Sequence, residues 1–180
     1  MHRCFFGLNP NTVDKNIIAG WRGKCLPENN KNVAVNNFHI TLAFLGNINS
    51  SQIKQLIDSA NDIKLDSGLI NIHLNQLGFW AKPKVLFLAT TKQSKALVKL
   101  ANSCMQVAVN ADIKVAEHKP YVAHLTLARK VKYLPILDSA IDNTVNFQLE
   151  FQQFCLFESL STPNGVKYRV IKSWPLHPIS

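Results

Sequence analysis

His39-Ile40-Thr41-Leu42-Ala43-Phe44 and His124-Leu125-Thr126-Leu127-Ala128-Arg129 are one pattern written twice, 85 residues apart in a chain of 180. Four of the six positions are identical. Each copy lies in an apolar run of the kind that forms a buried strand. Side chains alternate across a strand, so His39 and Thr41 share a face, as do His124 and Thr126. The chain thus offers two imidazole–hydroxyl pairs, one from each half. With six His and seven Thr available, two such pairs arise by chance in roughly 2% of comparable chains, before the shared Leu-Ala is counted.

Working outward, the apolar runs predict strands near residues 2–8, 38–45, 70–78, 84–90, 113–117, 121–129, 145–157 and 166–173. Val145, Phe147, Leu149 and Phe151 alternate and then the phase shifts to Phe154 and Leu156, which predicts a bulge near Gln152-Gln153. Ser161-Thr162-Pro163-Asn164-Gly165 reads as a hairpin between the last two strands. Helices are expected after Ser51, with Ile53, Leu56, Ile57 and Ala60 as the apolar stripe, and after Ser94, with Leu97, Leu100, Ala101, Cys104 and Ala108. A weaker helix is expected over 12–23. Each half therefore carries a helix and several strands around one His-x-Thr strand. This implies an α+β molecule with an internal pseudo-twofold and a cleft between lobes.

Composition narrows the function. At 180 residues, 47% apolar and 17% charged, the chain has the make-up of one globular domain, 1–180, of two intimate lobes. No stretch reaches the ~18 apolar residues of a membrane span, and Met1–Leu8 reads as a strand because its apolar run is too brief for a signal peptide. Cys4, Cys25, Cys104 and Cys155 lack the paired spacing of a zinc site or disulfide framework, which points to reduced thiols and a cytoplasmic protein. The net charge of +9 favours a polyanionic partner.

Two histidines facing one cavity suit displacement at phosphorus. A general base deprotonates the attacking oxygen while a general acid protonates the leaving one. Imidazole, with an unperturbed pKa of about 6.5, does either near neutrality. Threonine hydroxyls can donate to the phosphate oxygens. Neither motif contains a carboxylate to hold a metal, so no metal or cofactor is expected.

The two motifs resemble the paired His-x-Thr signatures of the 2H phosphoesterase superfamily, and most closely those of the bacterial and archaeal RNA 2′,3′-cyclic phosphodiesterases, also called 2′-5′ RNA ligases. The likeness extends to Arg3-Cys4-Phe5-Phe6-Gly7-Leu8, to Lys82-Pro83-Lys84-Val85-Leu86-Phe87-Leu88 and to Trp174-Pro175-Leu176. The resemblance implies a bilobal α+β fold with two antiparallel-sheet lobes, outer helices, a central cleft and no metal. It implies hydrolysis of RNA 2′,3′-cyclic phosphate ends to the 2′-phosphate, with 2′-5′ ligation as an accompanying activity; a monomer is expected. It assigns His39 as proton donor, His124 as proton acceptor, and Thr41, Thr126 and Arg129 as phosphate-binding groups. Where such proteins often have Pro-His, this chain has Ala123-His124. Strict alternation puts Arg129 opposite His124, so its assignment requires a bulge or strand end to redirect it.

Alternatives are a phosphodiesterase for 2′-5′ linkages or small cyclic nucleotides, and a non-catalytic RNA-binding module. Binding alone needs cations and not two histidines. His118 is expected on a loop or rim, and His2, His73 and His177 in structural or exposed places. Phe79-Trp80 could stack a base but are expected in the core.

Overall fold

The computed structural model describes residues 1–25, 31–65, 68–115, 120–131, 144–163 and 165–176. Strands β1 (His2–Leu8), β2 (Lys31–Asn32), β3 (Ile40–Ile48), β5 (Gln76–Trp80), β6 (Val85–Ala89), β7 (His124–Arg129), β9 (Gln153–Thr162) and β10 (Gly165–Pro175) form one eight-stranded sheet. Its order is β10-β9-β1-β3-β7-β6-β5, with β2 added on β7, and its pairings are antiparallel. A separate ribbon pairs β4 (Ile70–Leu74) with β8 (Phe147–Phe151). Helices α1 (Thr12–Cys25), α2 (Ser50–Ala60) and α3 (Lys95–Asn110) complete the α+β arrangement.

The order of strands carries the internal repeat. The units β1-α1-β3 and β6-α3-β7 follow the same path, and their motif strands meet at the sheet's centre through the pairing Ile40↔Leu125. Beyond each, a strand of the small ribbon leads into a strand of the large sheet, β4 into β5 and β8 into β9.

Helices and the small ribbon cover one face of the large sheet. There Phe6, Leu8 and Leu42 pack with Ile18 of α1, Leu56 of α2, Leu97 and Leu100 of α3, and Ile72 and Leu149 of the ribbon. On the other face are two small apolar clusters, Phe5 with Cys155 and Phe157, and Val85 with Phe87 and Ala89. The cleft runs between them.

Several elements differ from the sequence reading. Helix α2 is capped by Asn49, whose side chain accepts from the Gln52 amide while the Gln52 side chain accepts from the Asn49 amide; Ser51 lies inside the helix. The shift at Gln152 is no bulge within one strand, because β8 ends in the ribbon and β9 begins in the large sheet. Asn75 divides the expected 70–78 strand in the same way. No strand forms over 113–115, and β7 begins only at His124. The β9–β10 hairpin forms as expected, and all four cysteines are free thiols. Burial and the neighbouring Glu158 push the Cys4 thiol up to about 11. No helix of the described residues is long and apolar enough to cross a membrane.

Candidate active site

His39 precedes the first residue of β3 and His124 opens β7, so both imidazoles stand where a strand begins at the middle of the sheet. Each ring is held by the carbonyl two residues before it. His39 Nδ1 donates to Asn37 O at 2.6 Å, and His124 Nδ1 donates to Val122 O at 2.8 Å. A carbonyl can only accept, so each neutral ring carries its proton on Nδ1 and presents Nε2 as a lone pair. Thr41 Oγ1 lies 3.1 Å from His39 Nε2 and donates to it. The expected sharing of a face by His39 and Thr41 is thereby observed.

Amide side chains anchor both carbonyls, one in each half. Asn37 ends a 3₁₀ turn (Val35–Asn37); its Nδ2 donates to Val166 O at 2.6 Å and its Oδ1 accepts from the Tyr168 amide at 3.1 Å. Buried Lys15 holds the same turn by donating to Asn36 O at 3.1 Å. Across the cleft, Gln93 donates to Tyr121 O at 2.8 Å and accepts from the Ala123 amide at 2.6 Å, bracketing Val122. Tyr121 links the halves, its hydroxyl donating to Thr41 O at 3.0 Å. Asn37, Gln93, Lys15 and Tyr121 belong to no sequence motif, and the pattern of residues offers no signal for them.

Pairing explains how Arg129 reaches the site. In the β6–β7 ladder Phe87 pairs with Thr126 but Leu86 pairs with Ala128, so Leu127 is an extra residue. That bulge inverts the alternation and returns Arg129 to the side of His124 and Thr126. The first motif is bulged alike: Gly7 pairs with Thr41 and Phe6 with Ala43, leaving Leu42 extra and bringing Phe44 to the side of Thr41. Phe44 and Arg129 are therefore equivalent positions. The shared Thr-Leu-Ala has a physical meaning as hydroxyl, buried bulge residue and small buried side chain.

His39, Thr41, His124, Thr126 and Arg129 converge on one cleft of about 270 Å³, with Phe44, Trp80, Pro83 and Val85 completing its walls. It adjoins a groove of about 880 Å³ that includes Phe79, Lys82 and Tyr121. Trp80 is not a core residue. It is 37% exposed and meets the His124 ring edge-on at 4.6 Å between centroids. Phe79 is half-buried against the core, as expected. Gly78 lies opposite Phe87, and a methyl group there would overlap the Phe87 ring that packs on both Trp80 and His124. On the other side Phe5 and Tyr168 flank His39 at 4.7 and 4.9 Å.

Both imidazoles are poor bases in this surrounding. Burial drives His39 down to about 4; the Asn37 carbonyl opposes this, while His124, Arg129 and Lys15 add to it. Burial lowers His124 as well, opposed by Val122 O and reinforced by Arg129. Such a site favours an anion, which relieves the repulsion among its cationic forms. Among the described residues no three His, Cys, Asp or Glu side chains are grouped to hold a metal. His2 bonds Glu158 and His73 bonds Asn146, outside the cleft; His118 and His177 lie outside the described residues.

Residues 18–87 match the family model described as LigT like phosphoesterase. Over 175 residues, 97% of this chain and 96% of the relative, the sequence is 26% identical to the RNA 2′,3′-cyclic phosphodiesterase of Escherichia coli (strain K12). The apo crystal structure of E. coli LigT superposes with a TM-score of 0.85 at 25% identity, covering 98% of each chain. In sequence and in fold the chain is similar to the LigT-like phosphoesterases. A crystal structure described only as a phosphoesterase superposes with a TM-score of 0.89, again at 25% identity and 98% of both chains. The family model takes in only the first His-x-Thr strand, whereas the E. coli relative and both crystal structures span the two, so the cleft lies wholly within the shared fold.

Proposed function

We propose that this phosphoesterase hydrolyses RNA ends bearing a 2′,3′-cyclic phosphate to the 2′-phosphate, without a metal, using its two histidines as acid and base. One observation carries the reading. Two imidazoles, each locked with Nδ1 on a carbonyl, present Nε2 to a single cleft that also holds two threonines and an arginine. The name of the E. coli relative supports the choice of substrate.

In the proposed step a water oxygen attacks phosphorus and its proton passes to His124 Nε2. The bond from phosphorus to the 3′-oxygen breaks, and that oxygen takes a proton from His39 Nε2. The product is a 2′-phosphate beside a free 3′-hydroxyl. Thr126 and Arg129 donate to the non-bridging oxygens as charge grows on them. Thr41, which donates to His39 Nε2, turns to the phosphate when that ring becomes an acid. A ribose 5′-hydroxyl in place of water yields a 2′–5′ linkage by the same step. Phe44, 61% exposed, and Trp80 offer flat apolar faces to a nucleobase.

The marked lowering of His39 by itself favours the opposite roles, with His39 neutral as the base. A bound phosphodiester anion raises both histidines and permits His39 to carry the proton. Incubation with a nucleoside 2′,3′-cyclic phosphate, with and without EDTA, followed by phosphorus NMR, tests the proposal. EDTA-resistant formation of the 2′-phosphate is expected. Predominant 3′-phosphate would reverse the two roles, and no hydrolysis would overturn the reading.

A further inference from the structure

We infer that a row of cations across the end of β7 binds the RNA backbone upstream of the reacting phosphate, so that an oligonucleotide end is preferred to a mononucleotide. The inference rests on the phosphodiesterase reading above. Strand β3 pairs with β7 only at Ile40↔Leu125, and two-residue β2 pairs with the other end of β7, placing Lys31 opposite Arg129 and Asn32 opposite Ala128. Directly opposed residues share a face, and like charges in that relation are destabilising. A short strand that sets a lysine against an arginine therefore lowers the stability of the free protein. On the other side of β7 the Val131 amide donates to Lys84 O at 3.0 Å, bringing Lys84 beside Lys130. Both lysines have left-handed backbone, with φ of 54° and 55°, a region that non-glycine residues seldom adopt.

Lys31, Lys84, Arg129 and Lys130 are all exposed, and among the described residues none is ion-paired with a carboxylate. They span three neighbouring strand ends, about 10 Å at the usual ~4.8 Å between strands. Arg129 lines the catalytic cleft, as do Pro83 and Val85 on either side of Lys84. The row thus begins at the reacting phosphate and leads outward. A mononucleotide 2′,3′-cyclic phosphate has no further phosphate to place there. An RNA end has one for every upstream nucleotide, and this repeating charge matches a line of unpaired cations.

The test compares adenosine 2′,3′-cyclic phosphate with a tetraadenylate ending in the same group, using the whole chain and the triple variant Lys31→Gln, Lys84→Asn, Lys130→Asn. Asparagine tolerates left-handed backbone, and thermal melting checks that the variant folds. The parent should show kcat/KM about tenfold or more higher for the tetranucleotide, with a log–log salt slope steeper by about 0.7 per phosphate engaged. The triple variant should lose that advantage while its mononucleotide kcat/KM stays within about twofold. Equal use of both substrates by the parent, or an equal fall on both in the variant, would overturn the track. Fluorescence anisotropy with a 5′-labelled tetraadenylate bearing a free 3′-hydroxyl needs no turnover. Salt-sensitive binding lost in the variant supports the track even if neither cyclic substrate is hydrolysed, an outcome that would remove only the reaction assigned. Unchanged binding would remove the track.

Discussion

Asn37 holds His39 by its backbone and β10 by its side chain: its carbonyl accepts the imidazole Nδ1–H at 2.6 Å while its amide bonds Val166 and Tyr168. Gln93 does the corresponding work for Val122 and His124. Replacing Asn37 by Ala leaves the Val166 carbonyl and the Tyr168 amide without this partner, at less than the ~1–3 kcal/mol of a fully buried group because Val166 is exposed at the sheet edge. Gln93→Leu does the same to Tyr121 and Ala123. Each change should also release the tautomer of its own histidine and not the other's. Nitrogen NMR of the imidazoles reads this directly. His39 should gain Nε2–H tautomer in Asn37→Ala and His124 in Gln93→Leu; unaltered tautomers in both would leave the amides a role in stability alone.

Removal of either imidazole should reduce turnover by at least the ~10²–10⁴-fold of a positioned acid or base. The double variant His39→Ala/His124→Ala should be little slower than the poorer single one, because both groups serve one step. Thr41→Val and Thr126→Val keep shape and strand preference, so their losses should fall mainly on kcat. Near-parent turnover by either histidine variant would dismiss the two-histidine reaction.

Acidity should act on stability and rate with defined signs. Unfolded His39 binds a proton as pH falls below about 6.5, whereas folded His39 does so only near 4. The unfolded state therefore gains protons first, and the stability present above about 6.5 is lost as pH falls through that window, by about 3 kcal/mol in all. Denaturant titrations at stepped pH should show this loss in the parent and a smaller one in His39→Ala. For the rate, the free enzyme holds one proton between its two histidines only on the acid side of 6.5, since both are lowered. A bound phosphate anion raises both. The kcat bell should therefore lie at higher pH than the kcat/KM bell, and coincident bells would contradict the proposed role of the anion.

How much of this was legible in the sequence follows from the forces involved. The His-x-Thr pairs declare themselves because strand alternation alone puts both side chains on one face, and the structure does so for His39 and Thr41. The shift at Gln152 is visible as a change of phase. A bulge and a crossing between sheets both shift the phase, so only the partner strands distinguish them. Trp80 resembles core by its apolar neighbours, yet the β5–β6 hairpin and the space at Gly78 turn it to the cleft. Asn37 and Gln93 have no signature, because an amide that clamps a distant backbone acts through tertiary contact and not through spacing.

Arg129 offers the sharpest test of the bulge. The Leu127 carbonyl accepts from the Val33 amide at 2.9 Å and from the buried Arg22 guanidinium at 3.1 Å, which pins the extra residue in place. Arg129→Ala should lower kcat/KM about tenfold or more, since hydrogen bonds to a charged group are worth about 1.5–3 kcal/mol. It should also relieve both histidines of a neighbouring positive charge that lowers them. The acid limb of kcat/KM should therefore move to higher pH, an effect that mere loss of substrate affinity does not produce. Arg22→Leu leaves Arg129 present but frees the bulge. It should reproduce part of the kinetic loss while lowering stability through the Val33 and Leu127 carbonyls it no longer serves. An Arg129→Ala enzyme with an unmoved acid limb would show that the bulge does not bring this charge to bear on the imidazoles.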